Sequence, residues 1–516
     1  MFTRRSLIRS AGATAVGAFA APAILRAQSW FAAYPFTLGV AAGDPAPDGF
    51  VIWTRLAPDP TNPDAIMPPS ALPVQWEVAG DNEFGTIVAK GETLARPELG
   101  HSVHVDVTGL QADRPYWYRF IIGKDRSMRG RARTLPAAGA SAQTLRFGVC
   151  GCQNYEDGFY TAYRHLAAEQ DLAFVFHYGD FIYEYKQDFD TDKDGLPVSP
   201  VRHHIQREPY SVDEYRRHYA QYLSDMDLQA ARASHGFLQS FDDHELHNNW
   251  AGEYDAPVTT PEVFLLRKAA AMQAWYEHMP VRGALFPHGG NIAMNRRFRF
   301  GDLAAINVLD TRSFRTDQPC GDNMKPACPE QMDPKAAMMG SAQEAWLDAN
   351  LHRNDATWNC IAQQVMMMPL DRRRYADEKD VIYNMDSWAG YDAPRRRLMS
   401  RLAKVDNAVV LTGDEHQNFA GLLLDKDKPV AVEAVLTSIS SGGDGQDLRK
   451  GSDKMLADNP QLKFINDQRG YGLCEVTPEA WKTHFMVMDK VSQPGGTISR
   501  RTTATMPRGE VSLSIG

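Results

Sequence analysis

Residues 174–185 read FVFHYGDFIYEY. Phe174, Val175 and Phe176 form a short apolar run of the kind a fully buried strand shows, and the run stops at Gly179, where glycine lets the chain turn. Beyond the turn stand a carboxylate, Asp180, and a phenol, Tyr183, three positions apart. One turn of helix after the strand would return both to the same face. A buried strand ending in metal-capable groups fits an α/β sheet, in which ligands bind outside the carboxyl ends of the strands.

Other apolar runs end in the same manner. RFGVCG leads to Cys152, FLQSF to Asp242, Asp243 and His244, and VVLTG to Asp414 and His416. Taken singly, an aspartate after a strand is more often a helix cap or a turn former. Taken together, these endings supply one thiol, one phenol, two imidazoles and at least three carboxylates, a mixture that can hold a pair of cations with one aspartate between them. The phenol narrows the chemistry. With a reference pKa near 10, tyrosine ligates at neutral pH only where a strongly Lewis-acidic ion, such as ferric iron, displaces its proton.

From Leu145 onward, apolar strand candidates alternate with helical stretches near residues 158–169, 211–231, 261–276, 341–352 and 393–403, which indicates an α/β domain of layered sheets flanked by helices. Residues 36–136 read differently. FVIWTRL, VQWEVAG, HSVHVDVTGL and PYWYRFIIG are short β-branched or aromatic runs punctuated by GDPAPDG and DRP, the signals of a small antiparallel β-sandwich of the fibronectin or immunoglobulin kind. RTLPAAGASAQ then serves as the linker. The expected division is an export signal at 1–27, a β-sandwich at 28–138 and a catalytic domain at 139–516.

The signal is read from TRRSLIRSAGATAVGAFAAPAILRAQ: Arg4 and Arg5 precede a mildly apolar run, with Ala27 as the cleavage position. Arg9 interrupts that run, which falls short of the roughly 20 apolar residues a membrane span needs. The expectation is therefore twin-arginine export, with the export machinery as a transient partner, no transmembrane anchor in the mature chain, and a periplasmic or secreted destination. With 55 basic against 64 acidic residues, the net charge of -9 argues against a stable nucleic-acid partner held by a general positive field. Six cysteines in 516 residues exclude a disulfide scaffold. Cys320 and Cys328 can close a small ring in an oxidising compartment, whereas Cys360 and Cys474 read as core.

The blocks LRFGVCGCQNYEDGFYTAYRHLA, HYGDFIYEY, YRRHYAQYLSD, FDDHELHNNWAG, VLDTRSFRTDQP, DSWAGY and LTGDEHQNF resemble, in order, those of the PhoD-type alkaline phosphatases, and LGVAAGDPAPDGFVIWTRLAP resembles that family's N-terminal module. More distantly they are similar to purple acid phosphatases and calcineurin-like metallophosphoesterases. The resemblance implies Fe3+ held by Cys152, Tyr183, His416 and a bridging Asp180. It implies Ca2+ held by Asp180, Asp243, Asp414 and Asn248, with His244 facing the phosphate of the substrate. Gly151 stands where the family usually has serine, and Cys150, inside the strand, reads as packing.

The function implied is hydrolysis of phosphomonoesters, and of diesters as a further class, by metal-activated hydroxide attack, with His244 stabilising developing charge or protonating the leaving group. Two other readings are a hydrolase mainly of diesters, including phospholipid head groups, and a non-catalytic extracytoplasmic metal-binding or adhesion protein. Elsewhere, Arg202, His203 and His204 read as a polar loop with some claim to phosphate, His177 and His247 as core or supporting groups, and Arg312 as the orienter of a carboxylate. SSGGDG at 440–445 reads as a glycine-rich surface turn, and VMMMP as packing or cleft wall.

Overall fold

The computed structural model describes residues 30–187, 200–255, 259–373 and 378–516, together with the paired strands Asp190–Thr191 and Pro197–Val198. The expected export signal at 1–27 lies outside the described residues. Two large sheets face one another. The first has ten strands, in the order Ser514–Ile515, Ile498–Pro507, Ala480–Met488, Gly470–Val476, Leu145–Cys150, Val175–His177, Gly236–Gln239, Val40–Ala46, Gly49–Arg55 and Ser102–Val107. The second has seven: Arg296–Phe300, Ala304–Val308, Trp358–Ala362, Ala408–Thr412, Lys428–Val435, Asn418–Asp425 and Leu462–Asn466.

Both sheets are parallel at their centres, where the strands are buried on both faces and read as continuous apolar runs. Strand alternation sorts the side chains into layers. Phe147, Val149 and Phe176 of the first sheet meet Ile306, Cys360, Val409, Leu411 and Ala434 of the second in the inter-sheet core. Ile361, Val410 and Val435 point the other way, onto the helices Gly340–Leu351 and Asp392–Leu402. On the outside of the first sheet lie the helices Thr161–Ala168, Val212–Leu223, Met226–Ser234 and Pro261–His278. The fold is thus mixed α/β, with an antiparallel β module at the N-terminal end. Cys360 and Cys474 are core residues as read, and Met366, Met367 and Met368 are buried packing.

Three expectations change. The N-terminal sandwich is present, but one of its layers is the end of the ten-stranded sheet. Val40–Ala46 pairs in parallel with Gly236–Gln239, matching Ala42 to Gly236 and Gly43 to Phe237. The same strand turns Val40 and Ala42 toward Val74, Val78, Tyr118 and Phe120 of the module's other sheet, and Ala41 toward the helical face beside Trp53. The module is therefore welded to the catalytic layers rather than linked to them. Second, GDP at 43–45 is no turn but a bulged part of that strand. Asp44, at φ 44°, is buried, pairs with Arg296 at 2.6 Å and accepts from the amide of Arg282 at 3.0 Å. Third, the helix expected over 211–231 is two, because the Asp225 carboxylate caps a new start, accepting from the amides of Asp227 (3.0 Å) and Leu228 (3.2 Å). The chain after Gln493 forms edge strands of the first sheet.

Burial holds His177 and His218 down to about 3 and His235 to about 4, and keeps His278 well below its ordinary value. Folded, these rings stay neutral; unfolded, they titrate near 6.5. Their contribution to stability is present above that value and is lost as pH falls toward about 4, because the unfolded chain then binds more protons. The slope reaches about 5 kcal/mol per pH unit when all four charge on unfolding. Removing one ring, as in His177→Gln, should therefore lessen the fall in melting temperature between pH 6.5 and 4.5 relative to the unmodified protein, and an equal fall in both would contradict the assignment.

Candidate metal centre

The residues singled out by the strand endings lie beyond the carboxyl ends of both sheets, in tight turns. Cys152, Asp180, Asp414 and His416 all have left-handed backbone, at φ 49°, 54°, 67° and 52°. Such conformations cost non-glycine residues of order 1 kcal/mol each and persist where the surroundings impose them. The helical turn expected between Asp180 and Tyr183 is absent; the segment runs in bends, and the left-handed Asp180 brings its carboxylate to the phenol. A buried residue that sequence reasoning missed holds this turn. Glu245 accepts from the amides of Asp180 (3.1 Å), Phe181 (2.7 Å) and Asp242 (2.8 Å), so one carboxylate fixes two strand-end loops. Gly179 permits their approach, since a Cβ there would stand 2.4 Å from the amide nitrogen of Asp242.

Tyr178 explains the glycine at 151. Its ring lies against both Gly151 and Gly413, and a Cβ at either position would fall 2.2 Å from Cε2 of that ring. Its hydroxyl donates to the carbonyl of Thr437 at 2.8 Å. One aromatic ring therefore spaces the turns that carry Cys152 and Asp414. Gly151→Ala should destabilise the fold by about 1–3 kcal/mol through overpacking, seen as a lower melting temperature; an unchanged one would show that the ring does not occupy this gap.

Two donor sets result. In the first, Asp180 Oδ2 accepts from Cys152 Sγ at 3.1 Å and from Tyr183 Oη at 3.0 Å, and Tyr183 Oη lies 3.0 Å from His416 Nε2. In the second, oxygens of Asp242, Asp243 and Asp414 lie within 4.8 Å of one another, and Asp180, Asp243 and His244 form an adjoining group. Asp180 thus stands between the sets, its other oxygen accepting from the amide of His244 at 3.3 Å. Burial is the main force on these groups. It raises Cys152, Tyr183, Asp180 and Asp414 well above their ordinary values, and neighbouring carboxylates add to the rise. Burial, reinforced by the cations Arg469 and His244, holds His416 down to about 3, leaving a neutral imidazole. Asn248 is exposed at the rim, its amide donating to Glu184 Oε1 at 2.7 Å.

The second set leans on Arg312, which is fully buried. Its Nε donates to Asp242 at 2.5 Å and its Nη1 to Asp386 at 2.8 Å, while Nη2 faces Asp243 at 3.7 Å and Asp414 at 3.8 Å. Asp242 Oδ2 and Asp243 Oδ1 are buried without a hydrogen-bond partner. His244 is oriented by Glu184, a residue of the opening stretch to which the sequence reading gave no role: Nδ1 lies 2.8 Å from Glu184 Oε2, and the ring stacks on Tyr183 with centroids 4.0 Å apart. Burial opposes the charge on His244, but Asp243, Glu184 and Asp180 together raise it well above the ordinary value. His244, Asp243, Asp414 and His416 line a cleft of about 900 Å³.

The segment 440–445 is a glycine-rich turn with Gly442 and Gly445 exposed, as read, but its two leading serines reach the site. Ser440 and Ser441 are buried, and Ser441 Oγ lies 2.8 Å from both Tyr183 Oη and the Cys152 carbonyl while accepting from the amide of Asn154 at 3.0 Å. Arg202 and His204 serve the fold: Arg202 pairs with Asp225 at 2.8 Å and lies over Tyr155, and His204 sits 3.3 Å from Glu156. His177 is core. His247 lies with Glu184 and Glu208 in a further acidic group. Cys150 is buried beside Tyr163, and Cys320 and Cys328 are joined as a disulfide.

Facing mixed sheets with thiol, phenol, imidazole and carboxylates gathered at their carboxyl ends define a metallophosphatase. The chain belongs to the PhoD-like phosphatase family: the family's model matches residues 147–485, and that of the family's N-terminal domain matches residues 20–136. It is 43% identical to alkaline phosphatase D of Bacillus subtilis over 530 positions, covering 99% of this chain and 89% of that protein. The solved structure of PhoD is similar over 95% of this chain and 93% of its own, with a TM-score of 0.90 and 44% identity. No helix among the described residues is long and apolar enough to cross a membrane.

Proposed function

We propose that the protein is an exported alkaline phosphatase that releases inorganic phosphate from phosphomonoesters, and from diesters as a secondary class, at an Fe3+ and Ca2+ pair. The observation that carries this reading is the convergence of Cys152, Tyr183 and His416 around one oxygen of Asp180, with an all-carboxylate set alongside. The residues fit the ions. Thiolate, phenolate and neutral imidazole suit iron, whereas Asp180, Asp243, Asp414 and Asn248 offer the oxygens calcium takes. Buried acids held protonated, and carboxylate oxygens with no partner, mark places where a cation would be welcome. When bound, the ions would neutralise phosphoryl charge and lower the pKa of a water.

The chain supplies the rest. Glu184 fixes the ring of His244 through Nδ1, so that Nε2 is left to hold a proton toward the phosphoryl group or the leaving oxygen. Arg312 keeps Asp242, Asp243, Asp386 and Asp414 together against their mutual repulsion. Export through the twin-arginine route to the periplasm or the exterior accords with Arg4 and Arg5 and with the Cys320–Cys328 bond, which an oxidising compartment favours. The assay is phosphate release from p-nitrophenyl phosphate beside bis-p-nitrophenyl phosphate. Faster turnover of the monoester is expected; a marked diester preference would favour the diesterase reading, and no turnover of either would remove the enzymatic one.

A further inference from the structure

The cleft is larger than a phosphate requires and falls near the top of the range for pockets that enclose whole small molecules. Its metal end is built of carboxylates and histidines, but its outer walls carry Arg372, Arg373, Arg449 and Lys450. The pairing of these cations is unequal. Arg372 is buried against Glu415 at 2.7 Å, and Arg373 pairs with Asp371 at 2.5 Å, one carboxylate to each guanidinium. Arg449, whose side chain is 42% exposed, pairs with Asp467 at 2.6 Å, but that same carboxylate oxygen also answers Arg469 at 2.8 Å. Arg469 is fully buried and committed elsewhere, donating to the carbonyls of His416 (2.5 Å) and Ser441 (2.7 Å). One carboxylate thus serves two guanidiniums, leaving an excess positive charge at the cleft wall where Arg449 stands next to Lys450.

We infer that Arg449, with Lys450 beside it, forms a second anion subsite, and that the preferred substrates are small phosphomonoesters whose alcohol part carries a further carboxylate or phosphate. The inference rests on the phosphatase reading above. An exposed guanidinium with a spare claim on charge makes the strong, charge-assisted hydrogen bonds that such a group accepts. Its carboxylate partner, Asp467, belongs to neither of the donor sets that would hold the metals.

Three esters of one carbon skeleton test it: glycerol 3-phosphate, with no further charge; 3-phosphoglycerate, with a carboxylate; and glycerol 1,3-bisphosphate, with a second phosphate and no carboxylate. The kcat/KM for at least one charged ester should exceed that for glycerol 3-phosphate by about tenfold, and the better of the two names the anion. In Arg449→Ala that ratio should fall toward one, and Arg449→Lys should restore part of it. A ratio near one in the unmodified protein, or a ratio left intact in Arg449→Ala, would overturn the subsite. Phosphate release from none of the three esters would instead contradict the phosphatase reading on which it rests.

Discussion

Asp180→Asn should abolish turnover while leaving the protein folded. Changing a ligand's outer hydrogen-bond partner alone costs about 10- to 100-fold, so removing charge from the group shared by both donor sets should cost well over a hundredfold. The fold should survive because the left-handed turn at Asp180 is held through its backbone by Glu245, and because an amide is nearly isosteric with the carboxylate it replaces. The checks are phosphate release and the melting temperature, measured on the same preparation. Retained turnover would refute the bridging role. Lost turnover accompanied by unfolding would show that the charge of Asp180, rather than Glu245, fixes the turn.

Arg312→Met should have the largest effect on stability. The guanidinium is fully buried and faces four carboxylates; Arg315 still answers Asp386 at 2.7 Å and His244 faces Asp243, but its loss leaves Asp242 and Asp414 without their cation. Breaking a buried pair in this way costs about 3–5 kcal/mol. Added calcium should recover part of that loss if Asp243 and Asp414 hold it, because a ligand that binds only the folded state stabilises it. Neutralising a partner in the same background, Arg312→Met with Asp242→Asn, should also recover stability, since contacting residues couple. Additive losses in the double variant would mean that the arginine serves packing alone.

Much of the site was legible because its residues follow apolar strands, and a parallel strand order carries distant turns to one edge. Cys152, Asp180, Asp243, Asp414 and His416 stand out in this way, each directly after a buried run. Glu184, Glu245 and Ser441 did not, because each acts through partners set by tertiary folding, and a glutamate or serine in a loop carries no periodic signal. The welded N-terminal module was hidden for a related reason. A strand that pairs both within its own module and with a strand some 190 residues later has the local pattern of either. Asp44 looked like part of a turn because Gly-Asp-Pro usually makes one; its burial against Arg296 turned the same residues into a bulge.

In the proposed function Tyr183 and Cys152 hold ferric iron against Asp180. The most direct test is the visible absorption spectrum of the purified protein, read with its metal content, for the unmodified chain and for Tyr183→Phe. Iron is expected in the unmodified protein, with a charge-transfer band in the visible that disappears in Tyr183→Phe. A colourless, iron-free protein with full phosphatase activity would contradict it.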